Sequence, residues 1–276
     1  MDTGVSEPAR TCGRSPTVQA DHGDSATTFG RGLVALATPV LDLVFPALCP
    51  VCRAPLGPGR RDPLCGACWD AIARIEPPYC ASCGVPFLAF DSPALAAARC
   101  SPCVAAPAAY DYARSAALYG GPLREALHAF KFSGKRALAR PLADLVLEQC
   151  AGALPDGIVA VVPVPLSPDR ERERGFNQAR LLAERVARRL GTRLEPRWLA
   201  RVRPTRPQSD LSAAERALNV RDAFRASPAA ARRHVLVVDD ILTTGTTVEE
   251  CARALRSAGA SRIGVLTVAR VLSAAV

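Results

Sequence analysis

Eight of the eleven cysteines stand in four pairs, Cys49-x2-Cys52, Cys65-x2-Cys68, Cys80-x2-Cys83 and Cys100-x2-Cys103, with twelve, eleven and sixteen residues between successive pairs. A C-x2-C turn points two sulfurs to one side of a tight loop, and a second such turn completes a tetrahedron around a d10 ion that accepts soft ligands. Four turns therefore imply two zinc ions, each held by four thiolates. With every position filled by protein sulfur no place is left for water, so the zinc is structural and not catalytic. Residues 47–104 set these cysteines among many Pro and Gly, with too few apolar side chains for a core of their own. A module of that size needs a staple, and zinc supplies on the order of 10 kcal/mol of folding free energy. The spacing leaves the pairing open between a sequential arrangement, as in tandem zinc ribbons, which we favour, and a cross-brace of first with third and second with fourth. Cys12, Cys150 and Cys251 have no partner at ligand spacing and read as a tail thiol and two packing residues.

No run of about 18 apolar residues is present that could span a membrane. The nearest, Leu33–Phe45, is interrupted by Pro39 and Asp42, and it follows a polar, acid-containing segment instead of a basic signal region. We read the chain as cytoplasmic, a compartment where thiols stay reduced and available to metal. The formal net charge is +9, and of 35 basic residues only Lys131 and Lys135 are lysines. The planar Arg fork favours anionic partners, phosphates or nucleic acid, without choosing between them. A hydrophobic fraction of 49% excludes disorder throughout, and 5% aromatics means an aliphatic core.

Residues 1–28 have no apolar period and read as a disordered tail. Residues 29–46 are expected to form a short amphipathic helix from Leu33, Leu36, Val40, Leu43 and Val44, packed on the protein itself. From residue 105 onward helical and strand-like blocks alternate. Helices are expected over Pro122–Phe130 and Ala137–Cys150, joined by a turn at Lys131–Lys135. A buried strand at Ile158–Pro165 leads through an Arg-rich loop to a helix at Ala179–Leu190 that stops at Gly191. Arg193–Val202 is a weaker strand candidate with Pro196 inside it, and Arg203–Arg221 is an exposed loop or a mobile flap. A strand at His234–Val238, a Thr/Gly turn, a helix at Thr247–Ala258 and a strand at Arg262–Ala269 complete the chain. Strand, helix, strand at this spacing means right-handed crossovers and an α/β fold, a parallel sheet flanked by helices.

The most informative segment is Val235–Thr247, VLVVDDILTTGTT. Four apolar residues carry a strand to the carboxyl edge of the sheet, where ligands of open α/β sheets bind, and there Asp239 and Asp240 appear. Adjacent carboxylates suit a vicinal diol or a hydrated Mg2+. Thr243, Thr244, Gly245, Thr246 and Thr247 then lead into a helix, with Glu249 and Glu250 at capping-box spacing. Hydroxyls, backbone N–H groups and the positive helix end together cradle a phosphate, and Gly245 lets the backbone come close. No GxxxxGK[ST] nucleotide loop occurs. His22, His128 and His234 are scattered and read as core or surface residues.

The acid-acid strand end and its Thr/Gly loop resemble the type I phosphoribosyltransferase signature. Taken in order, the cysteine turns, GPLREALHAFKFSGKRALARPLA, VVPVPLSPDRERERGFNQARLLA, RPTRPQSDLSAAERALNVRDAF and the acid-acid loop resemble the ComF/GntX family of competence-associated phosphoribosyltransferase-like proteins, over roughly residues 40–271. The resemblance implies a double zinc ribbon at 47–104 and a phosphoribosyltransferase-like domain at 105–276. It implies that Asp239 and Asp240, the catalytic pair, hold the ribose 2′ and 3′ hydroxyls of phosphoribosyl pyrophosphate, that Thr243–Thr247 hold its 5′-phosphate, and that Mg2+ accompanies it. The loop Pro165–Gly175 would face pyrophosphate through Arg170, Arg172 and Arg174, and Arg201–Leu218 would be a flap over the site. The reaction implied is phosphoribosyl transfer, a pentosyl transfer, to an acceptor that no residue pattern names. The alternative is a non-catalytic protein of DNA uptake in natural transformation, using the phosphoribosyl site for sensing and meeting single-stranded DNA and the competence machinery. For DNA the stacking candidates are Trp69, Tyr79, Phe87 and Phe90.

Overall fold

Apolar runs without polar alternation need cover on both faces. In the computed structural model, which describes residues 47–57, 62–87, 98–203 and 219–272, these runs form the centre of one parallel sheet. The strands are β1 (Tyr112–Leu118), β2 (Ile158–Pro163), β3 (Arg193–Leu194), β4 (Leu199–Arg201), β5 (Phe224–Ala226), β6 (His234–Leu242) and β7 (Arg262–Arg270). Five of them make the main sheet in the order β1-β7-β6-β2-β3, every neighbour parallel, and β4 pairs antiparallel with β5. The helices are α1 (Gly66–Asp70), α2 (Ser101–Ala105), α3 (Gly121–Phe132), α4 (Ala139–Cys150), α5 (Pro168–Arg174), α6 (Gln178–Arg189) and α7 (Thr246–Ser257).

The two-residue period of β6 divides its side chains between two cores. Leu236 and Val238 join α3, α4 and α6 through Leu127, Phe130, Leu142 and Leu182, whereas Val235 and Val237 join α7 through Val248, Cys251 and Leu255. Truncating a core residue such as Leu236, 0% exposed, to Ala would cost about 2–5 kcal/mol. Cys150 and Cys251 are packing residues here, both buried.

The cysteine-rich segment supplies cover for a sheet edge. Ile75 N–H donates to Ala116 O at 2.9 Å, Leu118 N–H to Ala73 O at 2.8 Å and Ala113 N–H to Ser82 O at 2.6 Å, so β1 does not present a bare edge. The approach is close enough that a Cβ on Gly84, at φ +73°, would collide with the Ala113 carbonyl. Cys49, Leu64, Cys68 and Ile72 belong to the same core as α3 and α4, which replaces the core that residues 47–104 lack.

Several boundaries differ from the sequence reading. The Arg-rich loop is the helix α5: Pro168 opens it, Asp169 and Glu171 sit in its first turn, Arg172 and Arg174 in its last, and Gly175 closes it in the left-handed region. With no apolar face, it carries no periodic signal. Lys131 lies in α3 and not in a turn, because that helix runs on to Phe132. Arg193–Val202 is two strands in two sheets, parted around Pro196. β1 is a strand that the sequence reading did not assign, and β6 continues past Val238 through both acids to Leu242. Among the described residues no helix is long and apolar enough to cross a membrane. The expected tail, the helix at 29–46, Cys12, His22, Phe90 and residues 204–218 of the flap lie outside the described residues.

Candidate phosphoribosyl site and zinc centres

β2 leads through α6 to β3 on one side, and β6 leads through α7 to β7 on the other, so the carboxyl ends of β2 and β6 form the switch point of the sheet. Val164 N–H donates to Val238 O at 2.9 Å, which holds the start of the loop after β2 against β6. Asn177 fixes the first of them: its amide donates to Val164 O at 3.1 Å while its oxygen accepts Arg180 N–H at 3.2 Å and caps α6.

A cleft of about 160 Å³ opens there. Of the residues expected from sequence, it brings together Asp239, Asp240, Thr243, Gly245, Thr247, Arg170 and Arg174. Arg170 and Arg174 stand one helical turn apart on the cleft side of α5. Arg172 lies on the opposite face, exposed and paired with Asp169, so its expected place toward the ligand is corrected. Thr244 and Thr246 do not line the cleft; their hydroxyls bond to each other at 2.7 Å. Gly245 takes φ +80° at the N-cap of α7, and no side chain caps that helix. The capping box does not form, because both glutamates face neighbouring elements. Glu249 accepts Ala109 N–H at 3.0 Å, and Glu250 accepts Asp222 N–H at 3.0 Å and Arg253 at 2.7 Å.

Sequence reasoning missed Lys131 in this cleft, and Arg201, expected only as the first residue of the flap over the site, lines it as well. Lys131 Nζ lies 2.8 Å from Asp240 Oδ2, with the side chains 18% and 9% exposed. The one sequence signal of Lys131 is rarity, a lysine in a chain that otherwise uses arginine. Asp239 accepts Asp240 N–H at 2.9 Å, and burial together with the Asp240 charge pushes its carboxyl up to about 7, against the pull of Lys131. Burial and then the Arg170 charge push the Arg174 and Arg201 guanidinium pKa values down. Like charges held this close favour an anion between them. Arg174 is positioned by Gln178 Oε1 at 3.1 Å and lies 5.0 Å over the Phe132 ring. Arg203 donates to Asn219 O at 3.0 Å and Arg221 O at 2.6 Å, tying together the two ends of the flap.

The cysteine turns pair sequentially. Cys49, Cys52, Cys65 and Cys68 converge with their sulfurs within 4.8 Å of one another, as do Cys80, Cys83, Cys100 and Cys103. The Cys52–Cys65 and Cys83–Cys100 sulfurs are 3.5 and 3.7 Å apart, too far for disulfides and near the ~3.8 Å edge of a zinc–thiolate tetrahedron. Cys80 Sγ accepts N–H from Cys83 at 3.4 Å and from Cys100 at 3.3 Å. Burial acts against charge on Cys80, yet the N–H groups of Cys100, Cys83 and Ser82 outweigh it and bring the thiol down to about 6. Both donor sets fit zinc. Trp69 and Tyr79 are engaged by Arg74 and Arg114, and Phe87 packs on the second tetrad, so the zinc-region aromatics that are described support the fold. His234 lies at the far end of β6, held by Tyr112 at 3.0 Å, and His128 packs against Phe132 at the surface with the rings tilted by 42°.

A parallel α/β sheet with an acid-acid strand end and a Thr/Gly loop at its switch point, preceded by two four-cysteine sites, defines a phosphoribosyltransferase-type protein with a double zinc ribbon. Two family models match in that order, the double zinc ribbon domain over residues 40–104 and the phosphoribosyl transferase domain over residues 177–275. "DNA utilization protein YhgH" of Escherichia coli (strain K12) is 35% identical over 237 residues, covering 83% of this chain and 100% of its own length. "Competence protein F" of Haemophilus influenzae is 32% identical over 217 residues, 75% of this chain and 90% of its own. "Competence protein ComFC" of Bacillus subtilis is 33% identical over 147 residues, 53% and 58% of the two chains. The chain belongs to the ComF family. Among solved structures, the allosteric regulatory enzyme of purine biosynthesis matches 47% of this chain at 24% identity and a TM-score of 0.32, and the match spans 25% of that enzyme.

Proposed function

We propose that the cleft binds phosphoribosyl pyrophosphate together with Mg2+, and that the protein transfers the phosphoribosyl group to an acceptor. The observation that carries this reading is the convergence of Asp239 and Asp240, of Thr243, Gly245 and Thr247 from the loop, and of Arg170 and Arg174 on one cleft. Asp239 and Asp240 accept the ribose 2′ and 3′ hydroxyls. The loop and the open N-terminus of α7 take the 5′-phosphate. Arg170, Arg174 and Lys131 face the pyrophosphate.

In the reaction a nucleophile on the acceptor forms a bond to the anomeric carbon while the bond to pyrophosphate oxygen breaks, the electron pair leaving with pyrophosphate. Charge then builds on the departing diphosphate, where fixed cations in a cleft shielded from water act most strongly. Asp239 and Asp240 are the residues that would hold Mg2+ there, and the ion would supply further neutralisation of that charge. The raised Asp239 carboxyl suits this role, since a nearby cation or two hydroxyl donors relieve its repulsion with Asp240.

Calorimetric titration of the zinc-replete protein with phosphoribosyl pyrophosphate, with and without Mg2+, tests the reading against the Asp239→Asn/Asp240→Asn double variant. Binding that needs both metal and carboxylates is expected. Equal binding by the double variant would remove the carboxylates from the site, and no binding by the wild type would discard the reading. The second reading, handling of single-stranded DNA, draws on the names of the relatives and on the net charge of +9. It requires an affinity that falls steeply with salt.

A further inference from the structure

The two cysteine tetrads differ in exposure and in what neutralises them. In the second, Cys80, Cys83, Cys100 and Cys103 are all buried. Cys80 takes two backbone N–H donors, and Arg270, at the end of β7, donates to Cys83 O at 2.6 Å and brings a second nitrogen 3.5 Å from Cys83 Sγ. Donors and a cation against a metal-held thiolate withdraw electron density from sulfur and lower its nucleophilicity, and burial keeps reagents away. In the first tetrad Cys49 and Cys68 are buried, but Cys52 is exposed and Cys65 half-buried, and these two sulfurs are 3.5 Å apart.

We propose that Cys52 is the peroxide-reactive thiolate of the zinc-loaded protein, that it closes a disulfide with Cys65, and that the second tetrad is inert under the same conditions. The Cys52 sulfur attacks one oxygen of hydrogen peroxide and the O–O bond breaks, leaving a sulfenic acid and hydroxide. The Cys65 thiolate then displaces hydroxide from that sulfur and the S–S bond forms. The two sulfurs together give up two electrons, and the two peroxide oxygens accept them and leave as water after taking protons from solvent. Losing two of four ligands frees the zinc of the first site.

The consequence is local. Cys49 and Cys68 share a core with Leu64 and Ile72, so the first site supports the cover over β1. The second is tied through Arg270 to β7, whose next residue, Val271, donates its N–H to Leu242 O at 2.9 Å, directly before the phosphate loop. Oxidation thus loosens the cover over β1, while the tie from the second tetrad through Arg270 to β7 is kept.

The test treats zinc-loaded full-length protein with hydrogen peroxide over a time course. Free thiols are trapped by alkylation, peptides are mapped by mass spectrometry, and released zinc is followed with a chromogenic chelator. Half of the zinc is expected to be released as a Cys52–Cys65 disulfide appears, the second tetrad becoming alkylated only after denaturation. Arg270→Gln is expected to bring Cys83 oxidation into the same time range. Simultaneous loss of all zinc, first oxidation in the second tetrad, or a first disulfide lacking Cys52 would overturn the proposal. Should Arg270→Gln not fold, the order of events in the wild type decides alone.

Discussion

Lys131 Nζ sits 2.8 Å from Oδ2 of Asp240, an ion pair that fastens α3 to the carboxyl end of the central strand β6. The helix comes from a part of the chain that precedes β2, so this pair joins two segments that local sequence does not connect.

Removing the cation from such a pair strands a carboxylate in a poorly solvated place. Lys131→Met is expected to lower stability by about 3 kcal/mol, at the low end for a buried pair because the lysine is 18% exposed. At roughly 2–4 °C per kcal/mol the loss in Tm is about 6–12 °C by scanning calorimetry. Lys131→Met/Asp240→Leu should recover much of it. An unchanged Tm in the single variant would mean that the pair contributes nothing.

Asp239 sets a pH dependence of definite sign. Its carboxyl rises from 3.8 to about 7 in the folded protein, so the native state holds a proton that the unfolded chain has already lost between those values. The stability from that proton is complete below about pH 4 and is gone once the pH has risen through 7. Asp239→Asn should therefore raise Tm by a few degrees at pH 8 and leave it unchanged at pH 4, read by thermal melts across a pH series. The same difference at both pH values would contradict the raised carboxyl.

The arginines of α5 should separate by face. Arg174→Ala removes a charge-assisted donor worth about 1.5–3 kcal/mol and is expected to weaken phosphoribosyl pyrophosphate about 10- to 100-fold. Arg172→Ala, on the exposed face, should change neither affinity nor stability by more than about 0.5 kcal/mol. Calorimetry on both variants checks this, and equal losses would mean that the whole helix acts as a general electrostatic surface.

Stripping both zinc ions should reach beyond the ribbons. Cys49, Leu64, Cys68 and Ile72 lie in one core with α3 and α4, and the ribbon backbone covers β1. Chelation is expected to remove on the order of 10 kcal/mol from a single cooperative transition and to leave an exposed sheet edge that aggregates. Circular dichroism melts and light scattering follow both effects. An apo chain whose sheet melts at the holo temperature would show the ribbons to be independent of it.

The zinc ligands and the strand-end acids were legible because each is a short, local pattern. A C-x2-C turn orients its own sulfurs, and VLVVDD followed by a Thr/Gly loop is contiguous through strand, site and helix start. The arginines of α5 were half legible. Their number was plain, but only helical geometry sends Arg170 and Arg174 inward and Arg172 outward, and PDRERER has no apolar face to announce a helix. Lys131 was out of reach, since a turn assigned at Lys131–Lys135 hid that it ends a helix facing the cleft.

The sequence by itself determined four C-x2-C turns, a parallel α/β sheet and an acid-acid strand end with its Thr/Gly loop, since these follow from spacing and period within a few residues. Tertiary structure decided that the tetrads pair sequentially, that the ribbons seal the β1 edge, that Glu249 and Glu250 serve neighbouring backbone instead of a cap, and that Lys131 meets Asp240. Each of these is a contact between distant segments, fixed by which faces must leave water together, and no local pattern encodes it.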